Sequence, residues 1–195
     1  MGRLSDQKGY NHLIRAMSVV VKKYPNIKLL ILGNGNRDKE IKKMILDYGM
    51  DTNILLLGGK KNPFKYVKKS NLYVLSSLTE GFPNALSEAM CIGTPVVAVN
   101  CKSGPLELLN ENKEFFYDDS DYYICDYGIL TKEMIPDYQY SVKEINIAEY
   151  ALANAICYAY CHQEKMKEIA EKAIEHMKIY DYELFKKSIV DAIEN

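Results

Sequence analysis

Along the first hundred residues the hydrophobic positions follow two alternating rhythms. Leu13, Ile14, Met17, Val20 and Val21 recur at helical spacing, and the pattern stops before Pro25, which predicts a helix over 8–23. The run "IKLLILGNG" comes next, closed by Gly33 and Gly35. It lacks alternation, so it reads as a strand buried on both faces. The unit then repeats: helices around 37–48, 63–69 and 85–91 are followed by "NILLLGG", "NLYVLSS" and "TPVVAVN". Short apolar strands alternating with helices imply right-handed crossovers and a covered parallel sheet. The predicted fold is α/β, with a doubly wound parallel sheet.

After about residue 112 this rhythm weakens. "FFYDDSDYYICDYGIL" is dense in Tyr and Asp, and 131–143 reads as an irregular insertion with a partly buried surface loop as its simplest form. From 144 to 195 the pattern predicts a helical tail, broken near His162 and near "YDYELF". Its last helix, about 181–194, carries an apolar face with Leu184, Phe185, Ile189 and Ile193. No linker interrupts 1–195, and 195 residues fit one domain.

Composition narrows the partners. With 25 basic and 26 acidic side chains the formal charge is −1, so no whole-chain field favours nucleic acid. No apolar run reaches the roughly 18 residues of a membrane span, and the first residues lack a secretion signal's apolar core. "MGRLSD" starts like a myristoylation signal, but Asp6 stands where Ser or Thr is wanted. Five cysteines without disulfide or zinc spacing point to reduced thiols and a cytoplasmic setting. Cys157, Cys161 and His162 fall short of a tetrahedral ligand set, and the two cysteines read as small core residues. No metal site is predicted.

The densest chemistry lies in "LTEGFPNALSEAM", residues 78–90. In open parallel sheets, ligands bind outside the carboxyl ends of the strands, where this turn falls. Gly81 permits close backbone approach, Pro83 stiffens the turn, and Asn84 is a good N-cap for the next helix. The free N–H groups of that helix start suit a phosphate. Glu80 and Glu88 then bracket the anion site, each able to accept hydrogen bonds from a vicinal diol. A sugar, a phosphate group and a ribose in that order describe a nucleotide sugar. Arg3 and Lys8, ahead of the first helix, bring positive charge for a diphosphate.

Together "GRLSDQKGYNHLIRA", "ILGNGNRDKEI", "ILLLGG", "LSSLTEGFPNALSEAMCIGTPVVA" and "YGIL" resemble the C-terminal half of the family 4 retaining glycosyltransferases, which have the Rossmann-like GT-B fold. The resemblance covers roughly 2–130 with ordered motifs and the tail more loosely. It implies that Arg3 and Lys8 contact the donor diphosphate, Glu80 the donor sugar and Glu88 the nucleotide ribose. Gly2, Gly81, Phe82, Pro83, Asn84 and Ala85 would supply backbone to the donor site, and Gly58 and Gly59 would line the base pocket. Many relatives have Gly and Leu where Pro83 and Asn84 stand, which bears on the sugar's identity. The implied reaction moves a glycosyl group from a nucleotide sugar to a hydroxyl with retention, without a cofactor. Arg3 and Lys8 would stabilise the leaving diphosphate, and Glu80 would orient the sugar.

The same resemblance implies an N-terminal acceptor domain that these residues do not contain. It also implies a strand leading into Gly2, central in the sheet, with Met1 internal to a longer gene or a partner chain supplying the rest. The acceptor would be a glycan or a lipid-linked sugar, in surface polysaccharide or glycoconjugate synthesis. The competing class is a module that binds a nucleotide sugar without transferring it, or a truncated inactive product. A dinucleotide oxidoreductase fits poorly, because "GNGNRD" lacks the third glycine. "KKNPFKYVKK" carries five lysines and a Phe–Tyr pair. A solvated helix face explains it best, with peripheral membrane contact as the alternative. "DDSD" at 118–121 imitates an Asp-x-Asp metal motif that belongs to another site architecture.

Overall fold

A computed structural model of the chain describes residues 1–111 and 120–180. A 3-10 turn at Asp6–Lys8 leads into α1 (Tyr10–Lys23), β1 (Leu29–Leu32), α2 (Asp38–Asp47) and β2 (Ile54–Gly58). α3 (Phe64–Lys69), β3 (Tyr73–Leu75), α4 (Asn84–Ile92) and β4 (Val96–Val99) follow. α5 (Pro105–Leu109), β5 (Tyr122–Ile124), β6 (Ile129–Thr131), α6 (Ile147–Cys161) and α7 (Gln163–Met177) complete the order, with a 3-10 turn at Lys178–Tyr180. The expected last helix, with Leu184, Phe185, Ile189 and Ile193, lies outside the described residues, as do Asp118 and Asp119.

The α/β architecture has parallel strands, but they form two hydrogen-bonded ladders. β1 pairs in parallel with β2, while β3, β4, β6 and β5 make a second sheet in that order. β3, β4 and β6 are mutually parallel, and β5 runs antiparallel to β6. β1 and β3 are not bonded to each other. A cavity of about 580 Å³ separates them, lined by Leu29–Leu32 and Leu72–Ser77 and backed by Leu13, Met17 and Ile156. This corrects the expectation of a strand buried on both faces: Leu29 and Leu30 are half-buried because their inner side meets the cavity rather than a neighbour. The centre of the second sheet does bury on both faces, with all four β4 residues inside.

β6 was not predicted, since it lies behind the Tyr- and Asp-rich stretch where the alternation of helices and apolar runs breaks off. Nevertheless it is wholly buried beside β4. Residues 132–146 hold no helix or strand. They are anchored by polar groups on α1: Asn11 Nδ2 donates to the Asp137 carbonyl at 2.6 Å, and Arg15 to the Gln139 carbonyl at 2.6 Å.

Alanine spacing explains why α6 seats so deeply. Ala148, Ala151, Ala155 and Ala159 are buried and let α1 approach closely. Asn146 caps the helix and accepts from the Glu149 N–H at 2.9 Å, while Glu149 returns a bond to the Asn146 N–H. Glu149 also accepts from Arg15 at 2.9 Å and lies 2.8 Å from His12 Nδ1, all three side chains at most 1% exposed. α6 ends at His162, whose ring stacks on Tyr158. Cys157 is buried as expected for a small core residue, but Cys161 is exposed, its Sγ 2.9 Å from Tyr24 Oη. The last turn of α6 has left the core by that point.

Candidate functional site

The site begins with an extended strip, residues 2–5, laid across the carboxyl end of β1. The Gly2 N–H donates to the Leu32 carbonyl at 2.9 Å, and the Leu4 N–H to the Asn34 carbonyl at 3.0 Å. Gly33 makes this crossing possible. Its φ is +144°, and a Cβ there would stand 1.8 Å from the Gly2 carbonyl oxygen. Arg37 then clamps the 3-10 turn by donating to both carboxylate oxygens of Asp6, at 2.9 and 2.8 Å.

From that turn the chain reaches the carboxyl end of β3. Ser76 Oγ donates to the Lys8 carbonyl at 2.9 Å, the Leu78 N–H to the Gln7 carbonyl at 2.8 Å, and Gln7 Nε2 to the Thr79 carbonyl at 2.9 Å. On its other side the 78–84 loop is held by Ser103 Oγ, which donates to the Glu80 carbonyl at 2.6 Å. Gly104, at φ +96°, fits under Pro83 only because it lacks a Cβ, which would lie 2.3 Å from the proline ring. Two fixed loops thus meet at Lys8 and Glu80. Lys8 Nζ donates to Glu80 Oε1 at 2.6 Å, and Ser77 Oγ donates to the same oxygen at 2.6 Å.

Asn84 does not cap α4. Pro83 occupies the cap position without a side-chain bond, and Asn84 is the first helical residue. Its N–H is taken by the Phe82 carbonyl at 2.9 Å, and those of Leu86 and Ser87 go to the Pro83 carbonyl. The helix start therefore offers fewer free donors than expected. Among the described residues, the Ala85 N–H is the donor of that turn with no backbone acceptor.

Between the two loops opens a cleft of about 480 Å³. Gly2, Arg3, Lys8, Gly59, Glu80, Phe82, Asn84, Ala85 and Glu88 all line it. Gly58, Gly81 and Pro83 are not among its lining residues. Sequence reasoning missed Asn34, Lys60 and Phe64, which also line it. Asn34 had a signal: it lies in the glycine-flanked turn after β1, at a strand's carboxyl end. Its Oδ1 accepts from the Gly59 N–H at 2.9 Å and so fixes the far wall. Phe64 places part of the lysine-rich segment against the cleft, 44% exposed.

The charges divide unevenly. Arg3 is exposed and pairs with no carboxylate among the described residues, whereas Lys8 is engaged by Glu80. Burial pushes the Cys101 thiol up to about 11, and neighbouring Glu80 adds to the shift, so this cysteine is not a thiolate at neutral pH. Burial, again assisted by Glu80, pushes Tyr10 up to about 12. Among the described residues no cluster of three His, Cys, Asp or Glu forms a metal-ligand set, and no helix is long and apolar enough to cross a membrane. Asp121 of the "DDSD" segment accepts from Asn154 Nδ2 at 2.7 Å.

Comparison with known proteins bears on the family and the fold. The sequence profile described as "Glycosyl transferases group 1" matches residues 1–122. An uncharacterised glycosyltransferase of Methanocaldococcus jannaschii is 46% identical over 133 residues, 68% of this chain and 32% of its own length. The N-acetylgalactosamine-N,N'-diacetylbacillosaminyl-diphospho-undecaprenol 4-alpha-N-acetylgalactosaminyltransferase of Campylobacter jejuni is 34% identical over 113 residues, 58% of this chain and 30% of its own. The crystal structure of an S. aureus TarM variant with Fondaparinux, alpha-GlcNAc-glycerol and UDP superposes with a TM-score of 0.72 and 26% identity, over 96% of this chain and 33% of that one. The chain spans about a third of the length of these curated relatives.

Proposed function

This chain belongs to the group 1 glycosyltransferases, and from that premise we infer that its cleft is the donor site of a retaining, family 4 enzyme. The observation that carries the reading is the meeting of Arg3, Lys8, Glu80 and Glu88 on one cleft at the carboxyl ends of β1 and β3. Two cations suit a diphosphate, and two carboxylates suit the hydroxyls of a sugar and a ribose. The substrate class is a nucleoside diphosphate sugar. The acceptor is a hydroxyl on a glycan or lipid-linked sugar, in surface polysaccharide or glycoconjugate synthesis on the cytoplasmic side of a membrane.

In this reading Arg3 and Lys8 stabilise the departing diphosphate, a task we assign to them rather than to a metal. Glu80 holds the donor sugar and Glu88 the ribose. Asn34 and Phe64 border the space for the base. Protein catalysis is then positioning and electrostatic stabilisation, with the leaving phosphate assisting deprotonation of the acceptor hydroxyl. The acceptor contacts belong to an N-terminal domain. The relatives' greater length supports this division.

Calorimetric titration with UDP, GDP and ADP, each with and without its sugar, tests the assignment. One nucleotide is expected to bind saturably. Glu88→Ala should weaken it about tenfold, the worth of a charged acceptor's hydrogen bonds to a diol. Lys8→Ala should weaken it further, most strongly at low salt. Unchanged affinity in both variants overturns the site.

A further inference from the structure

Resting on that donor-site reading, we propose that the Lys8–Glu80 pair is a latch that only an intact nucleotide sugar opens efficiently, so the site discriminates the donor from its spent nucleoside diphosphate. The two side chains assigned to opposite halves of the donor occupy each other in the cleft. Lys8 Nζ sits 2.6 Å from Glu80 Oε1, with the lysine side chain 23% exposed and the glutamate 8% exposed. Partial burial leaves such a pair weakly screened by solvent. Its geometry is also fixed from both sides. Ser76 holds the Lys8 carbonyl, Ser103 holds the Glu80 carbonyl, and Ser77 donates to the shared carboxylate oxygen.

A diphosphate that draws Lys8 away leaves Glu80 with Ser77 as its remaining hydrogen-bond donor. An almost buried carboxylate losing its cation is costly, and that cost is subtracted from the phosphate's affinity. Arg3 carries no such charge to repay, being exposed and unpaired with any carboxylate among the described residues. An intact donor behaves differently, since its phosphate oxygens take Lys8 while its sugar hydroxyls donate to the freed Glu80. Both partners of the broken pair are then satisfied by one ligand. After transfer the sugar is gone, the pair closes again, and the nucleoside diphosphate is displaced. A ligand shifts an equilibrium only by its differential affinity for the two states, and here the sugar supplies the difference.

The test compares the wild-type chain with Glu80→Gln, and with Lys8→Met made in the Glu80→Gln background. Binding of UDP, GDP and ADP is measured alone and as glucose, N-acetylglucosamine and mannose conjugates. In Glu80→Gln the bare nucleoside diphosphate is expected to bind about tenfold tighter, because Lys8 is released, while the preference for the sugar conjugate disappears. The gain should vanish when Lys8→Met is added, which separates release of Lys8 from general removal of negative charge. Glu88→Gln, which removes the same charge from the other wall, should bring no gain. Thermal unfolding of each variant checks that it folds. A nucleoside diphosphate affinity that is unchanged or weaker in folded Glu80→Gln overturns the latch and leaves the donor reading standing. Absence of saturable binding by folded wild type and variants alike overturns both.

Discussion

Glu149→Ala is expected to lower the unfolding free energy by about 3–5 kcal/mol, the range for removing one partner from a buried charge cluster. That is a large part of the roughly 5–15 kcal/mol that holds a domain folded. The carboxylate serves three neighbours at once. It caps α6 through the Asn146 N–H at 3.0 Å, and accepts from Arg15 at 2.9 Å, with His12 Nδ1 2.8 Å away. Without it, among the described residues Arg15 keeps Asp137 and the Gln139 carbonyl, and His12 loses its partner there. Urea unfolding followed by far-ultraviolet circular dichroism measures the loss. A change below about 1 kcal/mol, the worth of an exposed pair, contradicts the assignment.

The same residue predicts acid sensitivity. Burial raises its pKa, but the bonds from His12, the Asn146 N–H and Arg15 outweigh that and hold it below the ordinary glutamate range. A depressed carboxylate contributes stability that is complete above its unfolded pKa and is lost as pH falls through its folded one. Stability should therefore decline below about pH 4.5 in the wild type. That component of the decline should be missing in Glu149→Ala.

Gly33→Ala is expected to damage both stability and binding. The new Cβ would meet the Gly2 carbonyl oxygen at 1.8 Å, and φ +144° is outside the range of ordinary side chains. Strain of about 1–3 kcal/mol and overpacking of about 1–3 kcal/mol add to roughly 4 kcal/mol unless the strip moves. Moving it breaks the Gly2–Leu32 bond and displaces Arg3 from the cleft. Thermal unfolding and nucleotide titration read the two consequences separately. A fully stable variant that binds as the wild type does contradicts the crossing.

The elements around this glycine were legible because compact apolar runs alternate regularly with stretches of helical spacing. β1 to β4 and the helices between them follow from Leu29–Leu32, Ile54–Gly58, Tyr73–Leu75 and Val96–Val99 almost residue by residue. β6 was not, since it follows a Tyr- and Asp-rich stretch in which that alternation is lost. Nine of the residues singled out for the donor site share one cleft. The Asn84 cap failed because Pro83 takes that position and the Phe82 carbonyl takes the amide. The Lys8–Glu80 pair spans 72 residues, and a carboxylate's choice between a neighbouring lysine and a solute is not written in local spacing. Nor is the burial of Glu149 beside His12 and Arg15, which depends on how α6 seats against α1.

The division of the strands into two ladders sets the walls of the cleft on different ladders over one shared core. One carries Asn34 and Gly59 on the loops after β1 and β2, and the other carries Glu80 and Glu88 after β3. Across the cavity no ladder bond ties β1 to β3; the strip at residues 2–9 bridges them instead, bonded to Leu32 at one end and to Ser76 and Leu78 at the other. Because that strap also bears Arg3 and Lys8, the stretch of chain that joins the two ladders is the same stretch that brings the cations to the cleft.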